Sequence, residues 1–381
     1  MIRLAEVLKR FAPDYLAAHG SAMPPPHRRA IADILACRTE ELGGHLWRCG
    51  HCNAEVFSYH SCNNRSCPQC HQNESERWLA ARKKELLPCS YFHVTVTVPE
   101  ELRAVLRANQ MDGYAALMKA AGEAIVELAR DRRHVGGTVG VMAVLHTWTQ
   151  QLHYHPHVHC LVTGGGVSGD GRHWHPARRD FPVPTRPLAI LVRAKMCALL
   201  SKRRPGLAVP EAAWRKPWVI DCKPWGDNAE TVLAYLARYV FRVAIAESRI
   251  VALDEAGVTI RHKHRASNRW RQTRLSGHEF LRRFLQHVLP KGFHKVRYYG
   301  LWHPSRRAVA TRVRQLPALS PSTPCRTAPA DAPSVSPSSQ ASDVPAVEPR
   351  ICPCCKTGHL VHVRRLYPKQ VCGPCLSPSN G

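Results

Sequence analysis

The chain has 381 residues, and 54 Lys and Arg against 28 Asp and Glu give it a formal charge of +26. A hydrophobic share of 44% excludes a wholly disordered polyelectrolyte, and the length excludes a minimal disulfide-stapled module. The basic excess runs along the whole chain, which suits a broad polyanion-binding surface. The sixteen cysteines fall into four Cys-x-x-Cys pairs and scattered singles, the usage of metal sites in a reducing compartment. No apolar run approaches the roughly 18 residues of a membrane helix, and the N-terminus lacks a signal-peptide pattern. The expectation is a soluble, intracellular protein.

In chain order, residues 1–42 read as short helices, 45–72 as a dense cysteine cluster and 73–88 as a basic helix. "YFHVTVTVP" (91–99) alternates β-branched and polar residues, which predicts a strand. A helical stretch follows over about 101–132, then strand-like runs at 137–150 and 157–167, and a helix at about 187–203. "WVIDCKPW" (218–225) is a fourth strand, and it leads into a helix over 227–246. That helix opens on Asp227-x-x-Glu230, which resembles a capping box. The order β-α-β-β-α-β predicts an α+β domain of the ferredoxin-like or RRM-like split βαβ type. A hairpin through "DEAG" is expected at 250–263, followed by a strongly basic region to 307. The Pro/Ser/Ala-rich stretch 317–349 reads as a disordered linker. The expected domains are 1–87 (helical and zinc-binding), 88–316 (catalytic, with a basic C-terminal part) and, past the linker, a zinc module at 350–381.

Two knuckles, Cys49-x-x-Cys52 and Cys67-x-x-Cys70, enclose fourteen residues and predict a closed four-thiolate structural zinc. Cys352, Cys355, Cys372 and Cys375 repeat the scheme for a second zinc, without which so small a tail could hardly fold. The catalytic signal is "HPHVHCLV" (155–162). On a strand, residues two apart face together, so His157 and His159 share a side. His146 or Gln150, on the preceding strand, could complete a three-ligand site with open positions for Mg²⁺ or Mn²⁺. On the 227–246 helix, Tyr235 and Tyr239 lie one turn apart at the edge of an apolar stripe, with Arg238 and Arg242 just beyond. Such phenols could attack a phosphodiester. Arg269, Arg271 and Arg274 are expected to track phosphates. Tyr298-Tyr299 could stack on bases but reads better as a buried strand, and Gly164-Gly165-Gly166 reads as a tight loop. His93 could face the metal, though packing in the sheet is the plainer reading.

At these residues the chain resembles the HUH (His-hydrophobe-His) single-strand DNA endonucleases. More narrowly, it resembles the two-tyrosine rolling-circle transposases of the insertion sequence 91 family. The stretches that carry the resemblance are "HLWRCGHCNAEVFSYHSCNNRSCPQC", "YFHVTVTVPEELR", "LHTWTQQLHYHPHVHCLVTGGG", "YLARYVFRVAIAESRI" and "EFLRRFLQHVLPKGFHKVRYYGLWH". The resemblance implies an N-terminal zinc-binding domain and a metal-dependent domain that nicks and rejoins single-stranded DNA. It implies a metal pair at His157 and His159, nucleophiles at Tyr235 and Tyr239, and a bacterial cytoplasmic, nucleoid-associated location. Thr149 departs from the glycine of many members. A replication initiator or relaxase with the same constellation, or a non-catalytic zinc-ribbon regulator, are the alternative readings.

Overall fold

The computed structural model describes residues 1–70, 72–177, 183–226, 240, 243–264, 267–316 and 350–368. Their contacts divide into two compact units, one of Met1–Ile31 with Arg65–Ser322 and the other of Ala32–Asn64 with Thr323–Gly381. This division differs from the expected boundary at 87, because the first helix, α1 (Leu4–His19), packs against a helix more than 250 residues later.

In the second unit, β1 (Gly44–Cys49) and β2 (Glu55–Tyr59) form a hairpin, which is preceded by the C-terminal part of α2 (Pro25–Ala36). In the first unit, α3 (Gln72–Lys83) precedes β3 (Tyr91–Thr97). Then follow α4 (Glu101–Ala108), α5 (Gln110–Arg130), β4 (Thr138–Trp148), β5 (Tyr154–Val167), β6 (Trp174–Pro176), α6 (Thr185–Arg203), α7 (Ala212–Arg215) and β7 (Val219–Gly226). The four long strands of this run lie in the order β4-β5-β3-β7, antiparallel throughout. A later strand, β11 (Val296–Gly300), extends the sheet beyond β4, and β6 pairs with β5.

Period-2 alternation divides the two faces of the sheet. Phe92, Val94 and Val96 of β3, Val141, Ala143 and Leu145 of β4, and Val158, Cys160 and Val162 of β5 point one way. They form one buried cluster with apolar residues of α5 and α6. Small residues of α5 (Ala116, Ala120, Ala121, Ala124) are wholly buried there, which lets a 21-residue helix lie close to the sheet. The opposite face carries His146, His157, His159 and His93.

The expected helix over 227–246 falls mostly outside the described residues. Its far end departs from the expectation, since residues 243–246 are not helical and lead into a 3-10 turn, Glu247–Arg249. β8 (Ile250–Leu253), β9 (Gly257–Lys263) and β10 (Trp270–Ser276) form a separate antiparallel sheet in the order β10-β9-β8. After it come α8 (Gly277–Leu285), which is the partner of α1, then β11 (Val296–Gly300) and α9 (Arg307–Val313). Tyr298 and Tyr299 lie within β11 and are half-buried, in keeping with the plainer reading of that pair.

Gly164-Gly165-Gly166 is a correction: it is part of strand β5, not a loop. A Cβ at these positions would meet Ser90, Trp174 and Gly137 at 2.0–2.6 Å, so the glycines admit protein neighbours.

The C-terminal segment is a second correction. β12 (Leu360–Leu366) pairs antiparallel with β1, Cys49 opposite Leu360 and Gly44 opposite Leu366, to give a sheet ordered β12-β1-β2. Residues 350–368 are therefore built into the same unit as the N-terminal hairpin instead of forming a module of their own. The expected linker at 317–349 lies outside the described residues.

Candidate metal centres

In the second unit, Cys49, Cys52, Cys352 and Cys355 bring their four sulfurs within 4.8 Å of one another. Cys49 Sγ lies 3.6 Å from Cys355 Sγ, and Cys52 Sγ lies 3.8 Å from Cys352 Sγ. Tetrahedral zinc with bonds near 2.3 Å separates its sulfurs by roughly 3.8 Å, so the spacing fits. The two knuckles share one backbone design. Asn53 and Lys356, each four residues after a first cysteine, adopt left-handed φ of 59° and 60° and return their N–H to Cys49 O and Cys352 O. Cys49 Sγ accepts from the N–H of Cys52 and His51, which lowers its pKa. Cys355 is brought down to about 5, mainly by backbone donation from Thr357 and Gly358. Both arrangements favour thiolate, the form that binds metal. Gly358 completes the packing, since a Cβ there would lie 2.5 Å from Cys49 Sγ and 2.6 Å from His51 Cβ.

This assembly corrects the expected sets. Among the described residues, Cys49 and Cys52 are gathered with Cys352 and Cys355, and Cys67 and Cys70 are not part of that group. Cys67 and Cys70 belong to the first unit. Cys372 and Cys375 lie outside the described residues.

In the first unit, His146, His157 and His159 place one ring nitrogen each within 4.8 Å of the others. The register accounts for it. His146 pairs directly with His157 across the β4–β5 hairpin, His159 stands next on the same face, and Thr95 of β3 lies opposite His159. His146 and His159 are only 3% and 8% exposed. His157 Nδ1 lies 2.6 Å from the carbonyl oxygen of His155 and must donate to it, which leaves Nε2 with its lone pair. Burial brings the His157 pKa down to about 4, so the ring is neutral at physiological pH. His159 Nδ1 lies 2.9 Å from His93 Nε2 and 3.4 Å from Thr95 Oγ1, again leaving Nε2 for a ligand. His93 is itself buried, its pKa brought to about 4 by desolvation, and it stands edge-on to Trp225 at 5.1 Å.

Gln150, the alternative third ligand, is committed elsewhere: its Oε1 accepts from Lys263 N at 2.8 Å, and its carbonyl oxygen accepts from Arg249. The hairpin turn beside the histidines is fixed from several sides. Thr149 Oγ1 accepts from the N–H of Gln151 and His153, which gives the departure from glycine a local role. Leu152, buried with φ 62°, offers its carbonyl to Gln286 and His287 just past α8. His287 in turn meets Thr147 Oγ1 at 3.2 Å. His93 was the residue whose placement the sequence left open, because its strand could be set beside His159 only once the β3–β5 register was known.

The remaining sequence candidates separate. Tyr235, Tyr239, Arg238 and Arg242 lie outside the described residues. Arg269 and Arg271 are exposed, whereas Arg274 is forked onto Asp254 through bonds of 2.7 and 2.8 Å. A cleft of about 910 Å³, lined in part by Tyr15, His27, Arg107 and Arg282, contains none of the three histidines. Among the described residues, no helix is long and apolar enough to cross a membrane.

Comparison with known proteins gives two family matches: residues 140–309 match a family described as "Putative transposase", and residues 7–98 match a "Transposase zinc-binding domain". The chain is 36% identical, over 94% of its length and 94% of the relative's, to "Putative transposase y4qJ" of Sinorhizobium fredii. It is 28% identical, over 71% of its length and 68% of the relative's, to "Transposase for insertion sequence element IS801" of Pseudomonas savastanoi pv. phaseolicola. No solved structure matches it.

Proposed function

The chain belongs to the insertion sequence 91 family of transposases, and from that premise we propose that it nicks and rejoins single-stranded DNA through phosphotyrosine intermediates at a three-histidine metal site. The observation that carries the reading is the pairing of His146 with His157, with His159 beside them, on the face of the sheet opposite the one that packs on α5 and α6. The strand order β4-β5-β3-β7 is that expected of a ferredoxin-like split βαβ domain, the architecture implied for HUH nucleases.

His146, His157 and His159 would hold a divalent ion, Mg²⁺ or Mn²⁺, which supplies charge stabilisation at the scissile phosphate. Three imidazoles are softer donors than Mg²⁺ prefers, so the free protein should bind Mn²⁺ more tightly. The chain's own chemistry is then assigned to Tyr235 and Tyr239. The phenol oxygen of one forms a bond to phosphorus while the bond from phosphorus to the 3′ oxygen breaks. The downstream strand is left on tyrosine through its 5′ phosphate, and the freed 3′ oxygen takes up a proton equivalent to the one the phenol loses. Attack on that ester by another 3′-hydroxyl reverses the step and joins strands without an external energy source. A second tyrosine permits a second transfer while the first strand is held. Arg238, Arg242, Arg269 and Arg271 are assigned to phosphates. We assign structural zinc to Cys49, Cys52, Cys352 and Cys355.

The test is incubation of the full chain with Mn²⁺ or Mg²⁺ and 3′-labelled single-stranded oligonucleotides tiled across the DNA flanking its gene. A protease-sensitive labelled adduct on a denaturing gel, abolished in the Tyr235→Phe/Tyr239→Phe double variant and in His157→Ala, is the expected result. DNA binding with no cleavage of any flank by either metal would instead favour a zinc-ribbon DNA-binding regulator.

A further inference from the structure

The sheet formed by β8, β9 and β10 has one apolar face and one cationic face. Val258, Ile260, His262 and Leu275 are buried on the inner side. On the outer side the register sets Trp270 opposite Lys263, Gln272 opposite Arg261 and Arg274 opposite Thr259. Trp270 is 55% exposed, an open position for an indole. The Arg261 guanidinium lies 5.1 Å from its ring centroid and the Lys263 ammonium 5.8 Å. Asp254, beside this face, is already forked by Arg274, and no carboxylate among the described residues pairs with Arg261 or Lys263. The face therefore presents an aromatic plane with two unneutralised cations, the combination that accepts a nucleobase and its flanking phosphates.

Its position adds a second argument. The end of β9 is tied to the β4–β5 turn that separates His146 from His157. Lys263 N donates to Gln150 Oε1, Gln151 Nε2 meets His262 Nε2 at 3.3 Å, and Arg249 bonds both Arg261 O and Gln150 O. These bonds fix the cationic face to the turn next to the histidine cluster.

We propose that Trp270, with Arg261 and Lys263, is a base-stacking clamp that holds single-stranded DNA beside the histidine site. The inference deepens the DNA-nicking reading and rests on it for the identity of the strand. Aromatic stacking tolerates any base, so the clamp sets position and strandedness, and sequence is read elsewhere. A duplex keeps its bases paired and stacked, so it cannot use the indole plane.

The experiment is fluorescence anisotropy with the full chain and a fluorescein-labelled dT20 or a duplex of the same length, across a series of salt concentrations. Trp270→Leu keeps an apolar side chain but removes the π face, and should weaken dT20 binding by about tenfold while leaving duplex binding unchanged. Trp270→Phe should stay within about threefold of wild type. The Arg261→Ala/Lys263→Ala variant should lower the salt slope for dT20 by about 1.4, two phosphate contacts at about 0.7 each. Circular dichroism and melting temperature control for folding. Equal affinity of Trp270→Leu and wild type for dT20, or equal losses for dT20 and duplex, would overturn the clamp. The nicking reading is scored separately by the tyrosine adduct: a missing adduct with Trp270-dependent dT20 binding sinks the nuclease and leaves the clamp.

Discussion

The histidine cluster and the cysteine cluster are both made by antiparallel strand pairing, yet they join residues at very different sequence distances. His146 and His157 meet across one hairpin, eleven residues apart, on a sheet whose other face is covered by two helices. Cys49 and Cys355 meet across 306 residues, on a three-stranded sheet whose strand β12 is largely exposed. The first arrangement has an apolar core of its own, so a metal bound there would serve chemistry and not folding. The second has little apolar area to bury, so its ion would hold the strands together.

The largest expected effect follows from that difference. Removing zinc with a chelator, or making Cys352→Ser, should abolish amide hydrogen-exchange protection in β12 and in the β1–β2 hairpin. His157→Ala should leave protection of β3, β4 and β5 in place while removing Mn²⁺ binding measured by calorimetry. If β12 stays protected after verified zinc loss, the contrast between the two sites is broken.

An intermediate effect sharpens the histidine side. With His159 binding through Nε2, its Nδ1–H donates to His93 Nε2 and the ring is held in one tautomer. His93→Ala should then weaken Mn²⁺ binding by about 10- to 100-fold with little change in melting temperature, and His93→Gln, whose side-chain oxygen can accept the same bond, should recover part of it. Unchanged Mn²⁺ affinity in His93→Ala would reduce His93 to packing.

The smallest effect concerns the helix that steadies the hairpin turn. Ser276 caps α8 by accepting from Glu279 N, and Glu279 pairs with Arg282 and Arg283. Hydrogen bonding from Arg282, then Arg283, lowers the Glu279 pKa from 4.5 to about 2. The folded value lies below the unfolded one, so this stability is present above about pH 4.5 and is lost as pH falls through about 2. Because Glu279 is about a third exposed and Arg282 about half, solvent screens much of the attraction, and Glu279→Gln should lower the melting temperature only slightly at pH 7, with the difference shrinking below pH 4.5. A melting difference that persists unchanged at pH 2 would place the effect of Glu279 in packing.

Strand parity alone put His157 and His159 on one side of β5 and His146 on the matching side of β4, because a hairpin of short loop has few registers to choose from. The same alternation made the order of helices and strands legible through β7. Thr149 and Gln150 show where that reasoning runs out: by sequence both continue the strand of His146, and only the tertiary bonds assign one to the turn and the other to β9.

By itself, then, the sequence determined the local matters: strand and helix positions, the shared face of the histidine pair, the Cys-x-x-Cys knuckles and the basic character. Tertiary structure alone decided which knuckles combine, that β12 joins β1, that His93 backs His159 and that Trp270 stands beside Arg261 and Lys263. The physical reason is range. Side-chain periodicity is set by backbone geometry within a few residues. Knuckles of the same spacing are locally interchangeable, and chain closure over 300 residues selects between them by strand pairing and packing that no short window contains.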